Sequence, residues 1–345
     1  MNTIAAFSRA ASVLIAATVL AASGPLHSEE SKPLPVVASF GIVADWVQQV
    51  GGDRVQVQTL VPRGADPHSF EPSPRQVAQF EAAKLVFLIG ASMEPGIEAL
   101  SGRKPTGFIA LAPAIGIKAE GDHGHDHAHG DEKKHGHGHD HAHGDEKKHG
   151  HDHAHAHSHD HHHHHHDVDP HIWTSVVKAR AAVLVVRDAL IAADPAGASV
   201  YQANWAAYDL QLADLHAEIE ALVQTIPEAR RRLVTTHDSL GYFAEAYGFT
   251  VVGTVLGTHH SDVADPPPRQ IAQLVAAIRE AQVPVIFPET TVPNRLLQTV
   301  AREAGVWVGP ALSADNLGPA AGPTGSYLGL MRHLAQTITT ALLAE

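Results

Sequence analysis

The 345-residue sequence carries 24 Lys and Arg against 37 Asp and Glu, a formal charge of -13, and no cysteine. An acidic chain without a basic run or stripe has nothing with which to neutralise phosphates, so nucleic acid is excluded as an expected partner. The missing thiols exclude disulfides and lipid attachment at a lipobox cysteine.

Residues 1–23 read as a signal peptide. Arg9 supplies a positive n-region, Ala10 to Ala22 form an apolar stretch of signal length, and Ala21-Ala22-Ser23 offers small residues for cleavage. No later stretch reaches about 18 consecutive apolar residues, the length of a membrane-spanning helix. A free periplasmic protein, secreted and not lipid-anchored, is therefore expected. The roughly 320 residues that remain suffice for two ordinary domains.

The first part alternates strands with helices. Pro35 to Ser39 and the alternating Val55 to Val61 read as strands, and Leu85 to Ile89 as a short buried strand ended by Gly90. Ser73 to Ala83 reads as a helix with Pro74 at its first position. Composition then changes abruptly. Between Asp122 and Asp167 lie 21 of the 29 histidines and no large apolar residue. Such a segment cannot bury enough apolar surface to offset its ordering entropy, so a mobile loop is expected. HGHDHAHGDEKKHG at 123–136 recurs unchanged at 137–150, an expansion with no apolar face on which repeats could stack.

Ser175 to Ala193 reads as a long apolar-rich helix and candidate spine. A second helix is expected from about Ser199 to Gln224, with Asp209, Asp214, Glu218 and Glu220 on its wet side. Strands follow at Arg232 to Thr236, Thr250 to Val252, Val283 to Phe287 and Val306 to Val308. Helices at Pro268 to Ala281 and Asn294 to Ala304 separate them, the latter stopped by Gly305. This alternation implies an α/β fold of two doubly wound domains, central sheets flanked by helices, joined by a long linking helix. The expected boundaries are 34–173 for an N-terminal domain with a disordered His-rich loop at 120–167, 174–193 for the linking helix, and 194–345 for a C-terminal domain.

Outside the His-rich segment eight histidines remain. His27 follows the signal peptide. His68 and His171 occupy similar Asp-Pro-His turns, and His237 follows a strand. Ligands of open α/β sheets bind beyond the carboxyl ends of strands, where two of these three histidines fall. A carboxylate would complete a tetrahedral set with them, and Asp315 is the candidate, although spacing alone favours a turn or cap residue. His259 and His260 read as exposed loop residues, with an auxiliary metal contact as the alternative.

Several stretches carry a resemblance: Asp66-Pro67-His68-Ser69-Phe70-Glu71-Pro72, Asp169-Pro170-His171-Ile172-Trp173, His237-Asp238-Ser239-Leu240-Gly241-Tyr242-Phe243, Val285-Ile286-Phe287-Pro288-Glu289 and Asp315-Asn316-Leu317-Gly318. The mature chain is similar to the metal-specific solute-binding proteins of ABC importers, the zinc/manganese (ZnuA-like) group. The resemblance implies a metal site in the inter-domain cleft with His68, His171, His237 and Asp315 as ligands. It further implies zinc as the transported ligand, an ABC importer permease at the inner membrane as partner, and no catalytic role. A periplasmic zinc metallochaperone is a further candidate partner, and a monomer is expected. Two departures stand out: Phe70 replaces a more usual Tyr, and Thr174-Ser175-Val176 replaces a Leu-Asp/Ser-Pro helix start.

Manganese-type relatives commonly carry Glu where this chain has His237. Three imidazoles and one carboxylate favour tetrahedral zinc over harder ions. The His-rich segment also belongs to zinc members, and its interchangeable imidazoles are expected to bind several zinc ions weakly as a collector or sensor, with a solvated insertion without function as the alternative. These are His123, His125, His127, His129, His135, His137, His139, His141, His143, His149, His151, His153, His155, His157 and His159. Two rival functions remain at the sequence level, a periplasmic zinc buffer without a transporter and a zinc hydrolase. The latter lacks a His-Glu-x-x-His motif and, with four protein ligands, an open coordination position.

Overall fold

The computed structural model describes residues 32–103, 107–117, 168–256 and 266–344. The signal-peptide stretch with His27, the His-rich segment, and His259 and His260 lie outside them.

The N-terminal half is built on four parallel strands, β1 (Leu34–Ala38), β2 (Val55–Thr59), β3 (Leu85–Leu88) and β4 (Phe108–Ala110), in the order β2-β1-β3-β4. Position in the sheet follows from composition. Continuous apolar runs place β1 and β3 in the centre, whereas exposed Gln56 and Gln58 suit β2 to an edge. Helix α1 (Gly41–Gly51) buries Ile42, Val43, Trp46, Val47 and Val50, one stripe at helical spacing. Helix α2 (Pro74–Ala82) starts with a capping box between Ser73 and Gln76 and with Pro74 in its first turn. Two single turns, α3 (Pro95–Glu98) and α4 (Leu111–Ala114), follow β3 and β4.

Helices α5 (Val176–Ala193) and α6 (Ala198–Val223) pack on each other and on α1. The Ser175 hydroxyl caps α5 by accepting from the Lys178 N–H at 3.4 Å. Asp214, Glu218 and Glu220 of α6 are exposed, but Asp209 is not wholly on the wet side. It takes the Arg180 guanidinium of α5 in a two-pronged contact of 2.7 and 2.8 Å, which ties the helix pair together.

The C-terminal half runs β5 (Arg232–Thr235), α7 (Gly241–Tyr247), β6 (Thr250–Thr254), α8 (Pro268–Glu280), β7 (Val285–Ile286), α9 (Arg295–Ala304) and β8 (Trp307–Val308). β5 pairs with β6 and β7 with β8, all parallel, and a bridge between Thr235 and Phe287 joins the two ribbons. Left-handed glycines, Gly248 at φ 74° and Gly305 at φ 76°, end α7 and α9. One further helix, α10 (Tyr327–Leu343), has no counterpart among the sequence-derived elements. It returns to pack on α6 and α1 through Tyr327, Leu330, Met331, Leu334 and Ile338. No described helix is long and apolar enough to cross a membrane.

Polar clamps join the halves around the cleft. Asn316 donates to the carbonyls of Pro62 and Ala65 at 2.9 and 3.0 Å and accepts from the Gly41 N–H at 3.3 Å. Trp173 Nε1 donates to the Ala314 carbonyl, and the Tyr327 hydroxyl to the Trp173 carbonyl, both at 2.7 Å.

Beneath the His68 loop sits a second device. The fully buried Glu94 accepts the Ser39 hydroxyl at 2.5 Å and the Ile89 and Gly90 N–H groups at 2.9 and 3.0 Å. Above it Gly90, Ala91 and Ser92 all take the left-handed conformation, at φ 75°, 57° and 64°. For the two non-glycine residues this stores strain. Burial pushes the Glu94 carboxyl from 4.5 up to about 7, against the opposing pull of its hydrogen bonds. A carboxyl raised by folding contributes its stability in full below its unfolded value and loses it as pH rises through the folded one. The expected outcome is a wild-type urea midpoint that falls relative to Glu94→Gln between about pH 5 and about pH 8. A pH-independent difference between the two proteins would remove Glu94 as the titrating group.

Candidate metal centre

Four chain segments deliver side chains to one point between the two sheets. His68 comes from the loop between β2 and α2, and His171 from the turn before α5. His237 stands two residues beyond β5, and Asp315 lies in the loop after β8. Three of the four thus sit past the carboxyl ends of parallel strands, where chain reversal leaves a crevice.

Each turn is fixed locally. Asp66 accepts the His68 N–H at 2.9 Å and the Ser69 hydroxyl at 2.8 Å. Asp169 accepts the His171 N–H at 2.9 Å in the same way. These are Asx turns, and the proline in between pre-sets the backbone for them. The repeated Asp-Pro-His sequence is therefore a repeated conformation, used twice to present a ligand to the cleft.

The four side chains converge. His68 Nε2 and His171 Nε2 lie 3.2 Å apart. The three imidazole centroids are separated by 5.2, 5.4 and 6.0 Å. Asp315 faces His171 Nε2 through Oδ1 at 3.9 Å and His237 Nε2 through Oδ2 at 3.5 Å. His171, His237 and Asp315 are fully buried. Thr291 donates its hydroxyl to Asp315 Oδ2 at 2.8 Å, while buried Oδ1 has no hydrogen-bond donor among the described residues. A buried carboxylate oxygen aimed at imidazole nitrogens, and lacking a donor of its own, suits a bound cation.

Behind the imidazoles stand carboxylates that received no role from the sequence. Asp169 Oδ1 lies 2.7 Å from His171 Nδ1, and Glu289 Oε2 lies 2.9 Å from His237 Nδ1. Asp169 was legible as part of its turn but not as a ring partner. Glu289 follows β7 and is 52 residues from His237, so no local spacing links them. Of the other described histidines, His216 contacts Tyr247 and Glu220 from α6, and His333 lies on α10. Neither belongs to the cluster.

Charge balance is tight here. Burial works to raise the Asp315 carboxyl, but attraction to His237 and a hydrogen bond from it, helped by His171 and His68, hold it well below the usual carboxylate range. Burial lowers His237, yet Asp315 and Glu289 outweigh it and push the ring well above 6.5. Asp238, at the rim, is raised first by burial and then by Asp169.

Known proteins resemble the chain over most of its length. The family model described as "Zinc-uptake complex component A periplasmic" matches residues 36–341. The chain is 28% identical over 318 residues to the manganese-binding lipoprotein MntA of Halalkalibacterium halodurans, covering 91% of this chain and 90% of that protein. It is 26% identical over 337 residues to the iron-binding protein YfeA of Yersinia pestis, covering 97% and 93%. The structure of the periplasmic zinc-binding protein TroA of Treponema pallidum matches at a TM-score of 0.72 and 24% identity, over 90% of this chain and all of that one.

Near neutral pH the raised His237 holds a proton that an entering cation must displace. In the metal-free protein that proton stabilises the fold below 6.5, and its contribution is lost as pH rises through the folded value. The depressed Asp315 has the opposite sign, contributing above 3.8 and losing its contribution as pH falls through its folded value. Metal binding at pH 7 should release about one proton, and affinity should weaken about tenfold per unit of acidification. Calorimetry in buffers of different ionisation heat reads the proton count, and a count of zero would contradict the charge assignment.

Proposed function

The chain belongs to the ZnuA family, the periplasmic A components of zinc-uptake complexes, and from that membership we propose that it captures Zn2+ for import. It is a periplasmic metal-binding protein of the substrate-binding class that serves an ABC transporter, not an enzyme, and its partner is a membrane permease.

The choice of zinc is the further step. Relatives are named for manganese, iron and zinc, so their names do not select among ions. The donor set does. Three imidazoles with a single carboxylate are borderline-soft and few, suited to four-coordinate Zn2+ and poorly suited to Mn2+, which favours more oxygen donors. We assign His68, His171, His237 and Asp315 as the four ligands. The single observation that carries the reading is their convergence, three imidazoles and one buried carboxylate at one point. With Asp315 ionised and three neutral imidazoles, bound Zn2+ and its four ligands carry net charge +1, with Asp169 and Glu289 standing behind them.

The finer parts of the reading follow. The division is into an N-terminal domain at 34–173, a linking helix at 174–193 and a C-terminal domain at 194–345. The His-rich segment acts as a weak auxiliary zinc collector, with a periplasmic zinc metallochaperone as a further partner. A free periplasmic monomer belongs to the same proposal.

Competition titration with Zn2+, Mn2+ and Cu2+ tests the proposal, using the full chain and a version lacking residues 122–166. One tight zinc site should survive the deletion, while several weaker ones disappear. Alanine at His68, His171, His237 or Asp315 should weaken the tight site by more than about 100-fold, since even the outer partners of such ligands are worth about 10–100-fold. Tighter binding of Mn2+ than Zn2+, or loss of the tight site with the deleted segment, would overturn the assignment.

A further inference from the structure

An imidazole serves a cation through a ring nitrogen with a free lone pair, and a nitrogen that keeps its proton has none. Which nitrogen keeps it depends on what each one faces. His237 turns Nε2 toward Asp315, at 3.5 Å, and Nδ1 toward Glu289 Oε2, at 2.9 Å. We infer that Glu289 is the positioning residue that fixes the His237 tautomer, holding the proton on Nδ1 so that Nε2 is the donor offered to the cargo ion. This rests on the reading of His237 as a zinc ligand.

The two oxygens of Glu289 have separate tasks. Oε1 accepts the His237 backbone N–H at 3.0 Å. Oε2 accepts the Ser239 hydroxyl at 3.0 Å and faces the His237 ring. The side chain is fully buried, and its own backbone N–H donates to Thr236 Oγ1 at 3.2 Å, so it has little freedom to adjust. A backbone N–H can only donate, which makes the Oε1 position an obligatory acceptor. The glutamine of Glu289→Gln must therefore keep its oxygen there and place its NH2 where Oε2 stands. An NH2 at that point donates to Nδ1, forces Nδ1 to accept, and sends the ring proton to Nε2. The metal-facing lone pair is then capped. Turning the amide over instead sets NH2 against the backbone N–H, two buried donors facing each other, which is disfavoured.

Asp169 touches His171 by a different arrangement. A single oxygen, Oδ1, takes both the His171 N–H at 2.9 Å and the contact to Nδ1 at 2.7 Å. Oδ2 lies over Gly241, 2.7 Å from where a Cβ would be. The asparagine of Asp169→Asn keeps its oxygen in the Oδ1 position and satisfies both contacts, so the His171 tautomer survives. Two isosteric acid-to-amide changes, each behind an imidazole, are thus expected to have opposite effects.

The test is Zn2+ titration against a chromophoric chelator for wild type, E289Q, D169N and His237→Ala. E289Q should bind about 10–100-fold more weakly, and D169N should change by less than about tenfold. In metal-free protein at alkaline pH, where the ring is neutral, the nitrogen-15 spectrum should place the His237 proton on Nδ1 in wild type and on Nε2 in E289Q. Equal weakening of both amide variants would show that the carboxylates act through charge alone and would overturn the inference. So would wild-type affinity in E289Q alongside loss in His237→Ala, an outcome that leaves the ligand assignment standing. Unchanged binding in His237→Ala would instead remove the ligand reading itself. Should E289Q fail to fold, the wild-type spectrum decides: a proton on Nε2 overturns the proposal.

Discussion

A carboxylate withdrawn from water costs several kcal/mol unless opposite charge or hydrogen-bond donors meet it. Asp315 is fully buried, and its hydroxyl donor, Thr291, serves one oxygen only. The compensation for the rest comes from His68, His171 and His237, brought from three other segments of the chain. The position of the halves is therefore coupled to an electrostatic demand. Moving either wall away from the cleft would strand a buried anion, and without a cation the site meets that demand by holding a proton on His237. Proton and metal compete for one vacancy in the charge balance, which makes the site responsive to pH by construction.

The neighbour of that anion has a mechanical task. Asn316 reaches across to Pro62, Ala65 and Gly41, so the loop that carries the charge also fastens the two halves. Trp173, two residues beyond His171, is held at both ends, by Ala314 through its indole and by Tyr327 through its carbonyl. Ligand-bearing turns and inter-half clamps thus alternate along the same short stretches of chain. Preorganisation of this kind lowers the ordering entropy that binding would otherwise cost. It also limits release to small displacements of whole turns, because a clamp and a ligand on one stretch cannot move independently.

Much of this was legible in the sequence because it is local. Asp-Pro-His encodes an Asx turn by itself, and the short apolar run Leu85 to Leu88, ended by Gly90, suits a buried central strand. The boundaries of α2, α8 and α9 followed from Ser73, Pro268 and Gly305 for similar reasons. Long-range pairings carried no such signal. Glu289 ends a strand like any polar residue, and nothing in Phe287-Pro288-Glu289 announces a histidine 52 positions earlier. Asp209 repeats at the spacing of exposed acids on α6, yet Arg180 turns it into an interhelical contact. Buried Glu94 likewise depends on Ser39, 55 residues away. Helix α10 escaped because its partners, α1 and α6, lie far back in the chain and leave its apolar pattern unexplained until they are present.

One scaffold is matched by proteins named for manganese, iron and zinc. Ligand type sets a broad preference, and the Irving–Williams order shows that affinity alone cannot separate neighbouring ions. What remains adjustable is how firmly each donor is aimed and which electron pair it presents. Here that control lies with groups behind the ligands: Asp66 on the His68 turn, Asp169 on the His171 ring, Glu289 and Ser239 at His237, and Thr291 at Asp315. A four-ligand motif read along the chain states which atoms can bind. Whether each offers a lone pair or a proton is decided by a second set of residues, which only the fold brings into contact with the first.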